Sequence, residues 1–371
     1  MSVALISFTV RGGRLNRQLA RALSREGCVC TCYEKRRERG REEAFWESRE
    51  EGTPRADFGE DRGPWELTPV EEPVGRWAGR RFQDSEALVF IGAMGIAVRS
   101  IAPWIRDKWT DPAVVVADEA GNFVIPVLSG HVGGANELAE KIAGVLKAVP
   151  VITAATDVNR RFAVDVFAVK NRLEITDRAL AREISAEILA GKQVGFFSDY
   201  PAQGPCPGEL TYGREQRRNF RITRRRESDA AHTLKLVPRV IHIGIGCRRG
   251  AGAEPVARAV RQVLERMDCL PESVAAVASI DLKKEEEGLL QLARQLQAPF
   301  LVYGPDVLAD VEGAFEESPF VAQITGVGNV CERAALKSVS ETEGGGRLIC
   351  PKQILDGVTV ALAEESWKGT F

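Results

Sequence analysis

Three runs decide the fold: VFIGAMGIAVRSIAPWI (residues 89–105), PVLSGHVGGANELAEKIA (126–143) and ITAATDVNRRFAVDVFAVKN (152–171). In the first two, an apolar run suited to a strand meets a glycine-bearing turn and then a stretch of helical period. A chain passing from strand to helix must turn sharply, and glycine adopts the necessary backbone without strain. In open α/β folds, turns at strand carboxyl ends hold ligands, so both turns are expected to face one site. Ala135, Leu138, Ala139, Ile142 and Leu146 recur at helical spacing and form a packing face. The pair Gly121-Asn122, between two apolar runs, signals a hairpin.

Working outward, residues 3–9 read as a strand and 14–25 as a helix with Leu15, Leu19, Ala22 and Leu23 on one side. Residues 28–34 then return as a second strand, the repeat of a parallel sheet. Beyond the central runs come a helix over 176–190 and a strand over 193–198. A strand over 239–246 follows, where Ile241, Ile243 and Ile245 alternate around a packed His242. Val256, Val260, Val263, Leu264 and Met267 mark the next helix. Strands at 274–280, 300–303, 348–351 and 358–363 surround a helix at 285–296. This alternation predicts a multi-domain α/β protein whose mixed, mainly parallel sheets are covered by helices. The expected domains are 1–150, 151–236 and 237–371. The first carries a charged, exposed insertion at about 35–85. The second ends in the basic run REQRRNFRITRRRE (214–227), a solvated face or linker, with an anion-holding rim as the alternative.

The 371 residues exceed one ordinary core. Fifty Lys and Arg against 52 Asp and Glu leave a net charge of −2, which offers no overall field for nucleic acid. No apolar run approaches the roughly 20 residues that span a bilayer. The first residues read as a strand entering a helix rather than an export signal, so a cytoplasmic setting with reduced thiols is expected. Cys28, Cys30 and Cys32 alternate, as small apolar residues on one strand face would. Three histidines and no CxxC pair argue against a multi-histidine or thiolate zinc site.

Chemistry concentrates at the turns. His131 stands just before a helix amino terminus, placed to act as a general acid or base. Around it, Ser129, Gly130, Gly133, Gly134 and Asn136 offer backbone and side-chain donors to an anion. Gly133 and Gly134 are the candidate oxyanion amides, and Glu137 is placed to orient His131. Thr153, Thr156, Asp157, Asn159 and Arg160 form a polar cluster at a strand end, with Asp157 a possible catalytic carboxylate and capping the alternative for any one of them. Asp165, in an apolar run, needs a partner if buried; an ion pair is expected. The earlier turn contributes Gly92, Gly95 and Arg99. GIGCRRG (244–250) lacks the GxGxxG spacing, so nucleotide binding is weakly supported, yet Gly246, Cys247, Arg248 and Arg249 suit carboxylates. GVGNVCERAAL (326–336) adds Gly326, Gly328 and Asn329 at a helix start, with Cys331 just inside as either an activated thiol or a buried apolar residue.

IGAMGIAVRSIAP, SGHVGGANELA, ITAATDVNRRFAVDVFA, GIGCRRG, ASIDLKKEE and GVGNVCERAAL occur in that order. Together they resemble the cobalt-precorrin-5A hydrolase family of cobalamin biosynthesis, CbiG. The resemblance runs from about residue 86 onward and includes the opening strand and helix, and the C-terminal third is also similar to CobE. It implies hydrolysis of a ring-A δ-lactone on an anionic cobalt corrinoid, with release of acetaldehyde and formation of cobalt-precorrin-5B. It implies no separate cofactor and no protein-bound metal, because cobalt arrives within the substrate. Neighbouring cobalamin-pathway enzymes are the implied partners; neither nucleic acid nor a membrane is. The competing readings are a non-catalytic corrinoid carrier, a nucleotide-dependent enzyme and a nucleic-acid binder.

Overall fold

A computed structural model describes residues 1–35, 65–107, 109–131, 133–153, 161–227 and 232–371. It divides into two compact units, Met1–Arg160 and Arg161–Phe371.

In the first unit, seven strands form one sheet: β1 (Ser2–Ser7), β2 (Val29–Glu34), β3 (Thr68–Pro69), β4 (Ala87–Ile91), β5 (Ala113–Ala117), β6 (Phe123–Leu128) and β7 (Val149–Pro150). Their order is β3-β2-β1-β4-β5-β6-β7. Strands β1 to β5 are parallel, β6 runs antiparallel to β5, and β7 is parallel to β6. The reversal is made by the predicted hairpin. Gly121 takes φ 71°, and the Asp118 carboxylate accepts the Ala120, Asn122 and Phe123 amides at 2.6–2.8 Å. One sheet face buries Leu19 and Leu23 of helix Val10–Arg25 with Leu138 and Ile142 of helix Ala135–Leu146. The other buries Trp77, Ala97 and Ile101.

Trp77 corrects the expected insertion. Residues 36–64 lie outside the described residues, but Val74–Asp84 is a helix of the domain. Trp77 is 2% exposed and meets the Tyr33 and Phe90 rings edge-on at 5.4 and 5.7 Å. The sequence VGRWAGRRFQD reads as charged because its apolar stripe is narrow; Arg76 and Arg80 occupy the outer face, while the half-buried Arg81 donates to the Tyr33 hydroxyl at 2.6 Å. The cysteine expectation fares differently: Cys32 is buried, Cys28 and Cys30 pack beside it against the core, and burial pushes the Cys32 thiol up to about 12.

Among its described residues, the second unit holds two five-stranded sheets and a two-stranded one. In the first, β8 (Leu173–Ile175), β9 (Val194–Ser198), β11 (Leu210–Tyr212), β12 (Asn219–Ile222) and β13 (Thr233–Pro238) take the order β11-β9-β12-β13-β8; β10 (Ala202–Gln203) pairs elsewhere. Its core is aromatic, with Phe167, Phe196 and Phe220 packed together and Phe371 closing over them. The second sheet comprises β14 (Ile241–Cys247), β15 (Val274–Ile280), β16 (Phe300–Tyr303), β17 (Gly346–Leu355) and β18 (Val358–Glu365) in the order β16-β15-β14-β18-β17. Strand β19 (Gly369–Thr370) leaves it to pair with β10. Helices Ala253–Arg266 and Glu287–Gln295 cover one face and Val330–Ser340 the other. Gly244 is required there, since any side chain would strike the Cys331 carbonyl of the covering helix.

The basic run is part of this framework rather than a linker. β12 lies within it, Arg218 pairs with Glu183, and Arg221 and Arg225 pair with Asp199. Arg224 reaches Glu364 of β18 at 2.7 Å, where the Tyr200 hydroxyl also donates at 3.0 Å. These four of the run's seven arginines thus pair with carboxylates of the chain, which corrects the alternative of an anion-holding rim for these four.

Candidate functional site

The hairpin that reverses β6 determines where the two glycine turns of the first unit face. Ile91 ends β4 beside Ala117, and the Gly92 amide donates to the Ala117 carbonyl at 2.8 Å. Leu128 ends β6 beside Val114, at the opposite end of β5. Gly92, Gly95 and Arg99 therefore stand roughly 15 Å, a strand's length, from the loop holding His131. The expectation that both turns face one site is thus overturned, because it assumed parallel strands throughout.

At the carboxyl end, β1 and β4 are neighbours whose following helices cover opposite faces of the sheet, the geometry of a ligand crevice. Arg99 is exposed and folds back over Gly95, its Nη2 3.3 Å from where a Cβ would sit. The matching wall, Thr9 and Gly12, went unremarked in the sequence. The Thr9 hydroxyl caps the first helix by accepting the Gly12 amide at 3.0 Å; the signal available was the TVRGG run after the first strand.

At the opposite end, the His131 loop is tightly tied. The Ser129 hydroxyl donates to the Asp111 carbonyl at 2.9 Å, and Ser129 itself is left-handed, with φ 56°. Gly133 packs against Ser129 so closely that a Cβ would strike its side chain, while Asn136 covers Gly130. The Gly134, Ala135 and Asn136 amides donate to the His131, Ser129 and Gly130 carbonyls at 3.0–3.1 Å. Gly134 is thereby corrected as an oxyanion donor: its hydrogen closes the turn. Gly133 keeps that candidacy. His131 is half-buried. Glu137 is 73% exposed and pairs with Lys141 at 3.0 Å, an arrangement of the helix surface.

Thr153 is exposed and follows β7, which runs parallel to β6, so the chain there heads toward the His131 end of the sheet. Thr156, Asp157, Asn159 and Arg160 lie outside the described residues. Asp165 sits in the first turn of helix Val164–Lys170, where its carboxylate accepts the Val166 amide at 3.0 Å.

In the second unit, β14, β15 and β16 run parallel and end together. Gly246 and Cys247 finish β14, and a Cβ on Gly246 would lie 4.0 Å from that of Val330, so the 326–329 turn reaches the same end. These two predicted glycine turns do converge. Their side chains divide by role. Asn329 is a helix cap: its oxygen accepts the Glu332 amide at 3.1 Å and its nitrogen donates to the Glu332 carboxylate at 2.6 Å and the Glu316 carbonyl at 3.2 Å. At 1% exposure it has nothing left for a ligand, which corrects its placement among binding residues. Gly326 takes φ 80° to end helix Pro319–Thr325, and Gly328 packs against the Glu317 carboxylate. Burial pushes the Cys331 thiol up to about 12 and raises Cys247, so neither is an activated nucleophile. Arg248 and Arg249 are exposed, and no carboxylate among the described residues pairs with them. Asp281, just past β15, has its Oδ1 buried without a hydrogen-bond partner among the described residues. Sequence reasoning overlooked it, although its position after an apolar strand was visible.

Among the described residues, no three His, Cys, Asp or Glu side chains gather to hold a metal ion, and no helix is long and apolar enough to cross a membrane.

The cobalamin synthesis G N-terminal family matches residues 76–157, and the cobalamin synthesis G C-terminus family matches residues 241–363. The cobalt-precorrin-5A hydrolase of Salmonella typhimurium is 35% identical over 355 residues, covering 90% of this chain and 91% of that protein. The chain belongs to the cobalt-precorrin-5A hydrolase family. The Priestia megaterium member is 33% identical over 301 residues, 76% of this chain and 79% of its own. Protein CobE from Sinorhizobium is 32% identical over 125 residues, 33% of this chain and 77% of that one. The two family matches contain both the His131 loop and the Cys247–Gly250 loop, and leave the aromatic-cored sheet of residues 173–238 between them.

Proposed function

We propose that this chain hydrolyses cobalt-precorrin-5A: water opens the ring-A δ-lactone, the two-carbon fragment leaves as acetaldehyde, and cobalt-precorrin-5B remains. The breadth of the family match carries this reading, since identity extends through nine-tenths of the chain and of a relative named for the reaction. Cobalt enters as part of the substrate, and no separate cofactor takes part. The setting is the cytoplasm, the partners are neighbouring enzymes of cobalamin synthesis, and nucleic acid has no role.

Lactone hydrolysis needs an activated water, a donor for the acyl oxyanion and a proton carrier as the carbon–carbon bond breaks. His131 is the base or proton shuttle, on a loop fixed by the Ser129–Asp111 bond. The Gly133 amide is the oxyanion donor, the Gly134, Ala135 and Asn136 amides being committed to the turn. Asp157 assists, on sequence grounds alone. In the second unit, taken by itself, Arg248 and Arg249 suit the carboxylates of a corrinoid through charge-assisted bonds. Incubation with the lactone corrinoid and assay of the volatile aldehyde tests the reading; binding without aldehyde would indicate a carrier instead.

A further inference from the structure

Past the end of β15, the run DLKKEE (281–286) leads into helix Glu287–Gln295. Its last residue performs a specific task. Glu286 pairs with Lys283 at 3.1 Å through Oε2, the two side chains only 10% and 14% exposed. Through Oε1 it accepts the Gly250 amide at 2.9 Å. Gly250 is left-handed, with φ 73°, and directly follows Arg248 and Arg249. The other end of that short bridge is fixed by the pairing of Cys247 with Val358 in the sheet. Two arginines thus stand between two anchors, one of them a nearly buried carboxylate.

Such burial has a cost. Taking a Lys–Glu pair out of water gains little stability over apolar residues, so what this pair contributes is geometry: it fixes where the Glu286 carboxylate meets Gly250. Lys283 also neutralises Glu286, which leaves the charge of both guanidiniums uncancelled. In contrast, the arginines at 218, 221, 224 and 225 have internal carboxylates. A planar guanidinium held in place matches a carboxylate through paired hydrogen bonds, and holding it beforehand lowers the ordering cost of binding.

We propose that Glu286, held by Lys283, is the positioning residue of a carboxylate clamp in which Arg248 and Arg249 grip the acetate and propionate groups of the corrinoid. The clamp is read from the loop geometry; the identity of its ligand rests on the proposed function.

Cobyrinic acid and its heptamethyl ester share one ring and differ in peripheral charge, so they serve as probes of the full chain. Glu286→Gln retains the acceptor for Gly250 and removes the attraction to Lys283. It is expected to weaken cobyrinic acid binding about tenfold, a size typical of residues sharing one network, and to leave the ester nearly unchanged. In a chain already carrying Arg248→Ala and Arg249→Ala it should have no further effect. Lys283→Arg should bind like the parent and Lys283→Met like Glu286→Gln. An equal loss in both backgrounds, or no loss in either, overturns the clamp. Aldehyde release by the parent tests the reaction separately. A chain that makes no aldehyde but shows this coupling keeps the clamp and loses the hydrolase; normal turnover with an unchanged KM in Glu286→Gln does the reverse.

Discussion

Ser129 donates its hydroxyl to the carbonyl of Asp111, a buried bond of 2.9 Å that fastens the His131 loop to the amino end of β5. The bond exists because β6 runs back along β5, and it places His131 a full strand away from the Gly92 turn. Ser129→Ala should cost about 1 kcal/mol, the usual worth of one such bond. It should also lower kcat more than it raises KM, since the loop loses its tether. Thermal melts paired with steady-state aldehyde release check both effects.

Gly133 and Gly134 should respond differently to a methyl group. At Gly133 a Cβ meets the Ser129 side chain, so Gly133→Ala should cost about 1–3 kcal/mol and displace the loop. At Gly134 nothing lies within 4 Å, and only the left-handed φ of 80° is penalised, by about 1–2 kcal/mol. If the Gly133 amide faces the oxyanion, turnover falls far more in the first variant than in the second. Similar losses in both would remove that assignment.

Trp77 separates a folded element from an insertion. Trp77→Ala should destabilise the first unit by about 3–5 kcal/mol, as buried large-to-small changes do. Urea unfolding followed by circular dichroism would show it, and an exposed segment would show no change.

His242 supplies a pH signature. Burial holds its imidazole down at about 4, with Nδ1 against the Ser338 hydroxyl at 2.6 Å and Nε2 3.8 Å from Glu365. Burial also raises Glu365, so both shifts favour a neutral pair over an ion pair. Between pH 4 and the unfolded value near 6.5 the unfolded chain binds the extra proton at His242. Its contribution is therefore present above about 6.5 and lost as pH falls toward 4. Glu365 acts oppositely, because its proton is retained in the fold above the usual carboxylate range. His242→Gln should flatten the fall in Tm between pH 6.5 and 4.5; an unchanged fall would show that His242 does not govern it.

Local patterns made much of this legible. The apolar strands, the Gly121-Asn122 hairpin and the helix face of Ala135 to Leu146 follow from period and turn chemistry. What escaped was pairing between distant segments. Strand polarity decides that His131 and Gly92 part company, yet polarity is set by how β6 docks, which no window of sequence displays. Trp77 was hidden by its arginine neighbours, and the 214–227 run by carboxylates as far away as Glu364. Asn329 shows the converse: the capping signature Asn-x-x-Glu was there to read, but its glycine neighbours drew attention to binding.

The reaction itself offers the most direct measurement. Purified full chain incubated with cobalt-precorrin-5A in its lactone form should release one acetaldehyde for each corrinoid consumed, and a folded His131→Gln chain should do so about 10²–10⁴-fold more slowly. Corrinoid that binds the parent chain and is recovered unchanged, without aldehyde, would contradict the account.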